Sequence, residues 1–195
     1  MPIILTISCA KDRLAGQQAV RETWRHLSQG WCFDHKFLLG RGNTDEQSDE
    51  WIVDAPDDYA GVLEKLRCAY RRADEYDFTF VSCIDTYIVP VRLQQTGFRR
   101  HNFSGAKCAT EAHASGGNGY WLSRRARQHL ADSPILRLWP YADQEDSQVL
   151  FMADIPLHDD QRYGVSVTKH LSRTTGVYDP QWMYDLHRKF MEQPL

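Results

Sequence analysis

The chain has no closely spaced cysteine pair. Its five cysteines, Cys9, Cys32, Cys68, Cys83 and Cys108, are scattered and odd in number. That argues against a zinc ribbon and a disulfide framework, and it points to a reducing compartment. No apolar run approaches the ~20 residues of a membrane span. The stretch from Met1 to Ala10 lacks the basic start of a secretory signal. A cytoplasmic protein with no membrane span is therefore expected, and the Asn102-Phe103-Ser104 sequon is incidental. Positive charge is not in excess: a net charge of -3 and an isoelectric point near 6.2 give no general attraction to nucleic acid. Repeats, low-complexity tracts and linkers are missing too, so nothing divides the 195 residues.

What is present is enough apolar matter for a core, with 42% hydrophobic and 12% aromatic residues. Apolar runs of strand length occur at Pro2–Ser8, His35–Gly40 and Tyr76–Ser82, with a shorter one at Trp51–Asp54. Helical spacing occurs at Gly16–Leu27, where Ala19, Val20, Trp24 and Leu27 share a face, and again from about Tyr59 to Ala73 behind an Asp57-Asp58 N-cap. This alternation predicts an α/β protein with a mainly parallel sheet. In such sheets ligands lie beyond the carboxyl ends of the strands. Ser8 to Arg13, Gly40 and Ser82 to Asp85 should converge there.

Asp85 stands just past the third long run, before a second short strand closed by Pro90. A buried carboxylate is costly unless a positive group sits beside it. A hard divalent cation is one such group, held by one or two carboxylates and substrate phosphates, and a turn-capping role is the other reading. Further on, Asn102–Ala106 reads as an edge strand. Ala114–Gly119 is a glycine-rich loop without the spacing or the Lys-Ser/Thr of a P-loop. Ser123 should cap a helix over 124–130. Asp143, Glu145 and Asp146 open another helix, where acids are ordinary partners of the dipole; Val149, Leu150 and Met152 read as its buried face. Ile155–Leu157 reads as a short strand, the run 163–170 ends on His170, and a last helix covers Pro180–Met191. Trp139 and Tyr141 flank Pro140 and offer faces for a sugar ring, or for the core.

Taken in order, several short motifs resemble those of the β-1,3-galactosyltransferase and Fringe-type glycosyltransferases. Arg21-Glu22-Thr23-Trp24 is similar to R-x-T-W, Phe37-Leu38-Leu39-Gly40 to F-x-L-G, and the run from Tyr59 to Lys65 to Y-x-N-L-T-x-K. Cys83-Ile84-Asp85-Thr86-Tyr87-Ile88 falls on the D-D-D-x-F-V metal motif, Gly117 to Ser123 on G-G-G-Y-x-x-S, and Glu145-Asp146-Ser147 on E-D-V. The resemblance covers roughly residues 1 to 175. It departs from the pattern at Cys83 and Ile84, which replace two motif acids, at Leu150, which stands where the family has glycine, and in the absence of a membrane anchor.

The resemblance implies a three-layer α/β/α GT-A domain, with a nucleotide-binding half about 1–90 and an acceptor-binding half about 91–195. It implies an inverting transfer of a hexose from a UDP-sugar to a glycan hydroxyl, with Mn2+ or Mg2+. Asp85 and His170 would hold the metal and Asp146 would be the general base. Ser8, Cys9, Ala10 and Arg13 would surround the nucleotide, with Arg21, Lys65 and Ile84 nearby. Gly117, Asn118, Trp139, Tyr141 and Glu145 would face the sugars. Two alternatives stay open: a member that binds nucleotide or glycan without turnover, and a nucleotidyltransferase.

Overall fold

The computed structural model describes residues 1–28, 32–108, 113–136, 142–171 and 178–192. In chain order the elements are β1 (Ile3–Ile7), α1 (Ala15–Glu22), α2 (Trp24–Ser28), β2 (Asp34–Leu39), β3 (Glu50–Ile52), α3 (Val62–Arg72), β4 (Phe78–Cys83) and β5 (Thr86–Ile88). Then follow α4 (Pro90–Gln94), β6 (Phe103–Gly105), β7 (Tyr120–Ser123), α5 (Arg124–Asp132), α6 (Ala142–Met152), β8 (His158–Asp159), β9 (Thr168–His170) and α7 (Gln181–Glu192). Seven strands form one sheet in the order β3-β2-β1-β4-β7-β6-β8, and β7 alone runs against its neighbours. β5 and β9 make a separate antiparallel ribbon beyond the end of β4.

Side chains alternate across a strand, so each face of the sheet builds its own core. Ile3, Leu5, Leu38, Val81 and Leu122 point to a core closed by Leu66 and Tyr70 of α3, Leu130 of α5 and Leu150 of α6. Their neighbours Ile4, Phe37, Leu39, Phe80 and Trp121 point to the other, closed by Val20, Trp24, Leu93 and Met183. The expected α/β/α layering with a mostly parallel sheet is what forms.

Several local expectations change. The helix over 16–27 is two helices, broken at Thr23, whose hydroxyl donates back to the Ala19 carbonyl at 2.6 Å. Pro90 opens α4 at its first turn, where its missing N–H costs nothing. Asn102–Ala106 is no edge strand: β6 lies between β7 and β8, and the sheet ends on the two-residue β8 rather than on a strand at 155–157. The acid-rich run Asp45–Glu50 reads from its composition as a surface segment, yet its Asp49 and Glu50 are buried, whereas Met152 is 72% exposed. Ser123 caps α5 as expected, its hydroxyl accepting from the Ala126 N–H at 3.2 Å.

Candidate active site

The loop after β1 is tied down by a buried lysine and a carboxylate. Lys65, 1% exposed, sends its ammonium to the Ser8 carbonyl at 2.9 Å and to Asp57 at 3.3 Å. Asp57 is not the N-cap of α3, because Gly61 occupies that place and Asp58 accepts its N–H. Instead, Asp57 accepts from the N–H groups of Gly40 at 2.6 Å and Ala10 at 2.8 Å, and from the Asn43 amide at 2.8 Å. Burial works against the charged form, but these donors and Lys65 outweigh it and hold the carboxyl below its usual range. Gly40 is needed here: a Cβ would lie 2.7 Å from the Asp57 backbone. One carboxylate thus joins the ends of β1 and β2 to the loop before α3.

Arg13 and Arg21 of this half are spent internally. Arg13 grips Glu50 through two nitrogens at 2.9 and 2.7 Å, and also reaches the Thr44 and Asp45 carbonyls. Arg21 holds Asp49 at 2.9 and 3.1 Å, and Arg25 shares that acid. Cys9 donates its thiol to Asp12 at 2.9 Å, and burial together with that acid pushes the thiol up. Ser8 is nearly enclosed and receives the Gln17 amide. Ser8, Cys9 and Ala10 do share the carboxyl edge, with the Ala10 N–H already given to Asp57.

A second group assembles where β4 ends. β5 and β9 pair so that Thr86 stands opposite His170. This brings His170 Nε2 to 3.0 Å from Asp85 Oδ2, while the Leu171 N–H donates to the Asp85 carbonyl at 2.9 Å. Gly117 packs directly against the His170 ring, where a Cβ would overlap the imidazole. Its carbonyl accepts from Thr86 at 3.0 Å. Asn118 is buried and its carbonyl accepts from Thr168 at 2.7 Å. The Ile84 side chain leans into the core beside Gly16. Cys83 is a neutral thiol: burial, then the charges of Asp85 and Asp143, push it far up.

Asp143, in the first turn of α6, joins this group. Its Oδ2 accepts from the Gly116 N–H at 2.9 Å and stands 3.4 Å from His113 Nδ1. Burial raises its carboxyl above the usual range against those neighbours, yet 18% of the side chain stays exposed. Tyr178 completes the rim. Its buried hydroxyl has no hydrogen-bond partner among the described residues, and burial and then the charges of Asp85 and Asp12 push it up.

Asp146 is placed differently from the expectation. It has no exposed surface, and its oxygens are taken by Arg67 Nη1 at 2.7 Å and the hydroxyls of Tyr70 and Tyr120 at 2.9 and 2.8 Å. An acceptor hydroxyl has no route to it. Glu145 is equally enclosed, accepting from the Leu136 N–H at 3.0 Å with Arg67 3.6 Å away. α6 turns both acids inward, toward Arg67 of α3. Trp139 and Tyr141 lie outside the described residues. Sequence reasoning read Asp57 as a helix cap and Asp143 as a helix-start acid, second to Asp146 as a base. The only signal for Asp143 was an acid at a helix start, downstream of a glycine-rich loop.

Asp85 and His170 form a two-donor set, and the described residues contain no group of three or more His, Cys, Asp or Glu that could hold a metal. One carboxylate and one imidazole fit a hard divalent cation that takes its remaining ligands from phosphate and water.

No protein-family model and no curated protein sequence matches the chain. Among solved structures it is similar to a glycosyltransferase involved in the glycosylation of the major capsid of PBCV-1. The two share 11% identity and a TM-score of 0.55, over 96% of this chain and 98% of that one. A protein described as a nucleotide-diphospho-sugar transferase from Desulfovibrio desulfuricans G20 aligns over 97% of both chains at 13% identity with a TM-score of 0.47. The first likeness shows the GT-A-type fold, and it does not reach the narrower β-1,3-galactosyltransferase family. Among the described residues no helix is long and apolar enough to cross a membrane.

Proposed function

We propose that the chain is an inverting glycosyltransferase that moves a hexose from a UDP-sugar to a glycan hydroxyl. The observation that carries this reading is the meeting of the Asp85–His170 pair, the Gly116-Gly117 turn and Asp143 at the carboxyl edge of a GT-A-type sheet.

Asp85 and His170 would hold Mn2+ or Mg2+, which supplies positive charge to the departing diphosphate. The nucleotide then lies over Ser8, Cys9 and Ala10, on the platform fixed by Asp57 and Lys65. Arg13 and Arg21 shape that platform and do not bind phosphate, since each is committed to a buried acid. Asp143, not Asp146, is the general base. The Gly116 N–H fixes its Oδ2, and the carboxylate accepts the acceptor hydroxyl's proton as that oxygen attacks the anomeric carbon opposite UDP. Its raised pKa favours this, because a base works best with a pKa near the working pH. Gly117 leaves room for the imidazole of His170 and so sets the floor of the site.

The test is UDP release from a panel of UDP-sugars with manganese, with and without glycan acceptors, for the wild type and Asp85→Ala. Manganese-dependent release that disappears in the variant supports the reading. UDP binding without release favours a binding-only member, the alternative suggested by Cys83 and Ile84 in place of motif acids. UDP affinity unchanged by Asp85→Ala rules out the metal assignment.

A further inference from the structure

The amino-terminal edge of the sheet carries a second feature, at the end opposite the proposed transfer site. β6 and β8 run parallel to β1, so the residues that enter them lie at that far edge. Between these entrances is a cleft of about 360 Å³ lined by Arg100, His101, Asn102, Asp154, Pro156 and His158, among others. The rings of His101 and His158 are stacked face to face, 3.5 Å between centroids and 5° from parallel. Arg100 is exposed and has no acidic partner among the described residues. Burial, then His158 and Arg100, depress the His101 imidazolium, and Asp160 opposes them only as the smallest contribution. Asp160 is itself occupied by Arg162 at 2.6 Å. Three basic groups are thus crowded together; Asp160 is neutralised from its other side, and the exposed Asp154 is the carboxylate that lines the same cleft. Such crowding is unfavourable until an anion fills it.

We propose that this cleft binds a phosphate-class oxyanion between Arg100 and the stacked His101–His158 pair. The guanidinium offers paired donors to such an anion, and each imidazole becomes a donor on protonation. Anion binding therefore takes up protons. A cleft of this size also lies within the roughly 300–1,000 Å³ of small-molecule sites, so the anion can be free or carried on a hexose.

The experiment is calorimetric titration of inorganic phosphate and of a hexose 1-phosphate into the Asp85→Ala protein without metal, which separates this site from the donor site. It is run at pH 6 and pH 8, in buffers of different ionisation enthalpy. Expected is saturable binding at pH 6 with net proton uptake, roughly tenfold or more weaker at pH 8, and weakened at least about tenfold by Arg100→Ala or His158→Ala. Both side chains are exposed, so both variants should fold. Tighter binding of the hexose phosphate identifies a sugar-borne anion, and equal binding identifies the bare ion. No binding of either at about 20 mM, binding indifferent to both substitutions, or binding without proton uptake overturns the proposal.

Discussion

The two halves of the carboxyl edge use charge in opposite ways. Around β1, the charges of Arg13, Arg21 and Lys65 meet Glu50, Asp49 and Asp57 inside the protein, and the result is a platform. Around β5 and β9, Asp85, His170 and Asp143 keep partial exposure, and Asp143 is held in a state that raises its pKa. The same contrast recurs within one helix. Asp143 and Asp146 stand three residues apart on α6; one looks into the glycine-rich turn, the other into a closed network of Arg67, Tyr70 and Tyr120. Enclosed charges build a scaffold, and partly exposed ones are left for chemistry.

The sharpest way to break this comparison is to exchange the roles of the two α6 acids. Asp143→Asn should cut transfer by about 10²–10⁴-fold while leaving the thermal unfolding midpoint and UDP affinity near wild type. A variant that keeps its rate moves the base elsewhere. Asp146→Asn should do the reverse. It removes the charge opposite a buried guanidinium, which costs about 3–5 kcal/mol of stability and is read as a lower urea midpoint. A variant as stable as wild type but inactive would restore Asp146 to the chemistry.

Smaller effects sharpen the same contrast. The acid limb of kcat/KM should fall above pH ~4, the ordinary carboxylate value, because Asp143 is raised and serves as a base only when deprotonated. A limb at or below that value would mean another group is titrating. Asp57 and Asp49 behave oppositely, since burial favours their neutral forms but their donors and cations hold both below the usual range. Their folded pKa values lie under the unfolded ones, so their stabilisation is complete above about pH 4 and is lost as pH falls through the depressed folded values. Asp57→Asn should flatten that low-pH slope in urea titrations at pH 2–5. Smallest is Gly117→Ala, whose methyl would displace the His170 ring. It should weaken manganese affinity in the presence of UDP several-fold, with little change in UDP affinity in its absence. Equal affinities for wild type and variant would remove His170 from the cation site.

The sequence by itself determined the continuous apolar runs of strand length, hence a sheet buried on both faces, and the placement of Asp85 just past a strand at the edge where such sheets bind ligands. It also brought His170 into view, and register alone carried it to Asp85. It could not determine which face of α6 meets α3, nor that Asp143 and Asp146, three residues apart on the same side of the helix, would meet different partners. Only packing chose: Arg67 and Tyr70 of α3 and Tyr120 of β7 converge on Asp146, and Gly116 claims Asp143. The same holds for Asp49, Glu50 and Asp57. Local composition makes them surface acids or caps, and the arginines and lysine that bury them arrive from α1, the β1 loop and α3. Hydrophobic periodicity is a local property of the chain, whereas the partner of a buried charge is set by the fold.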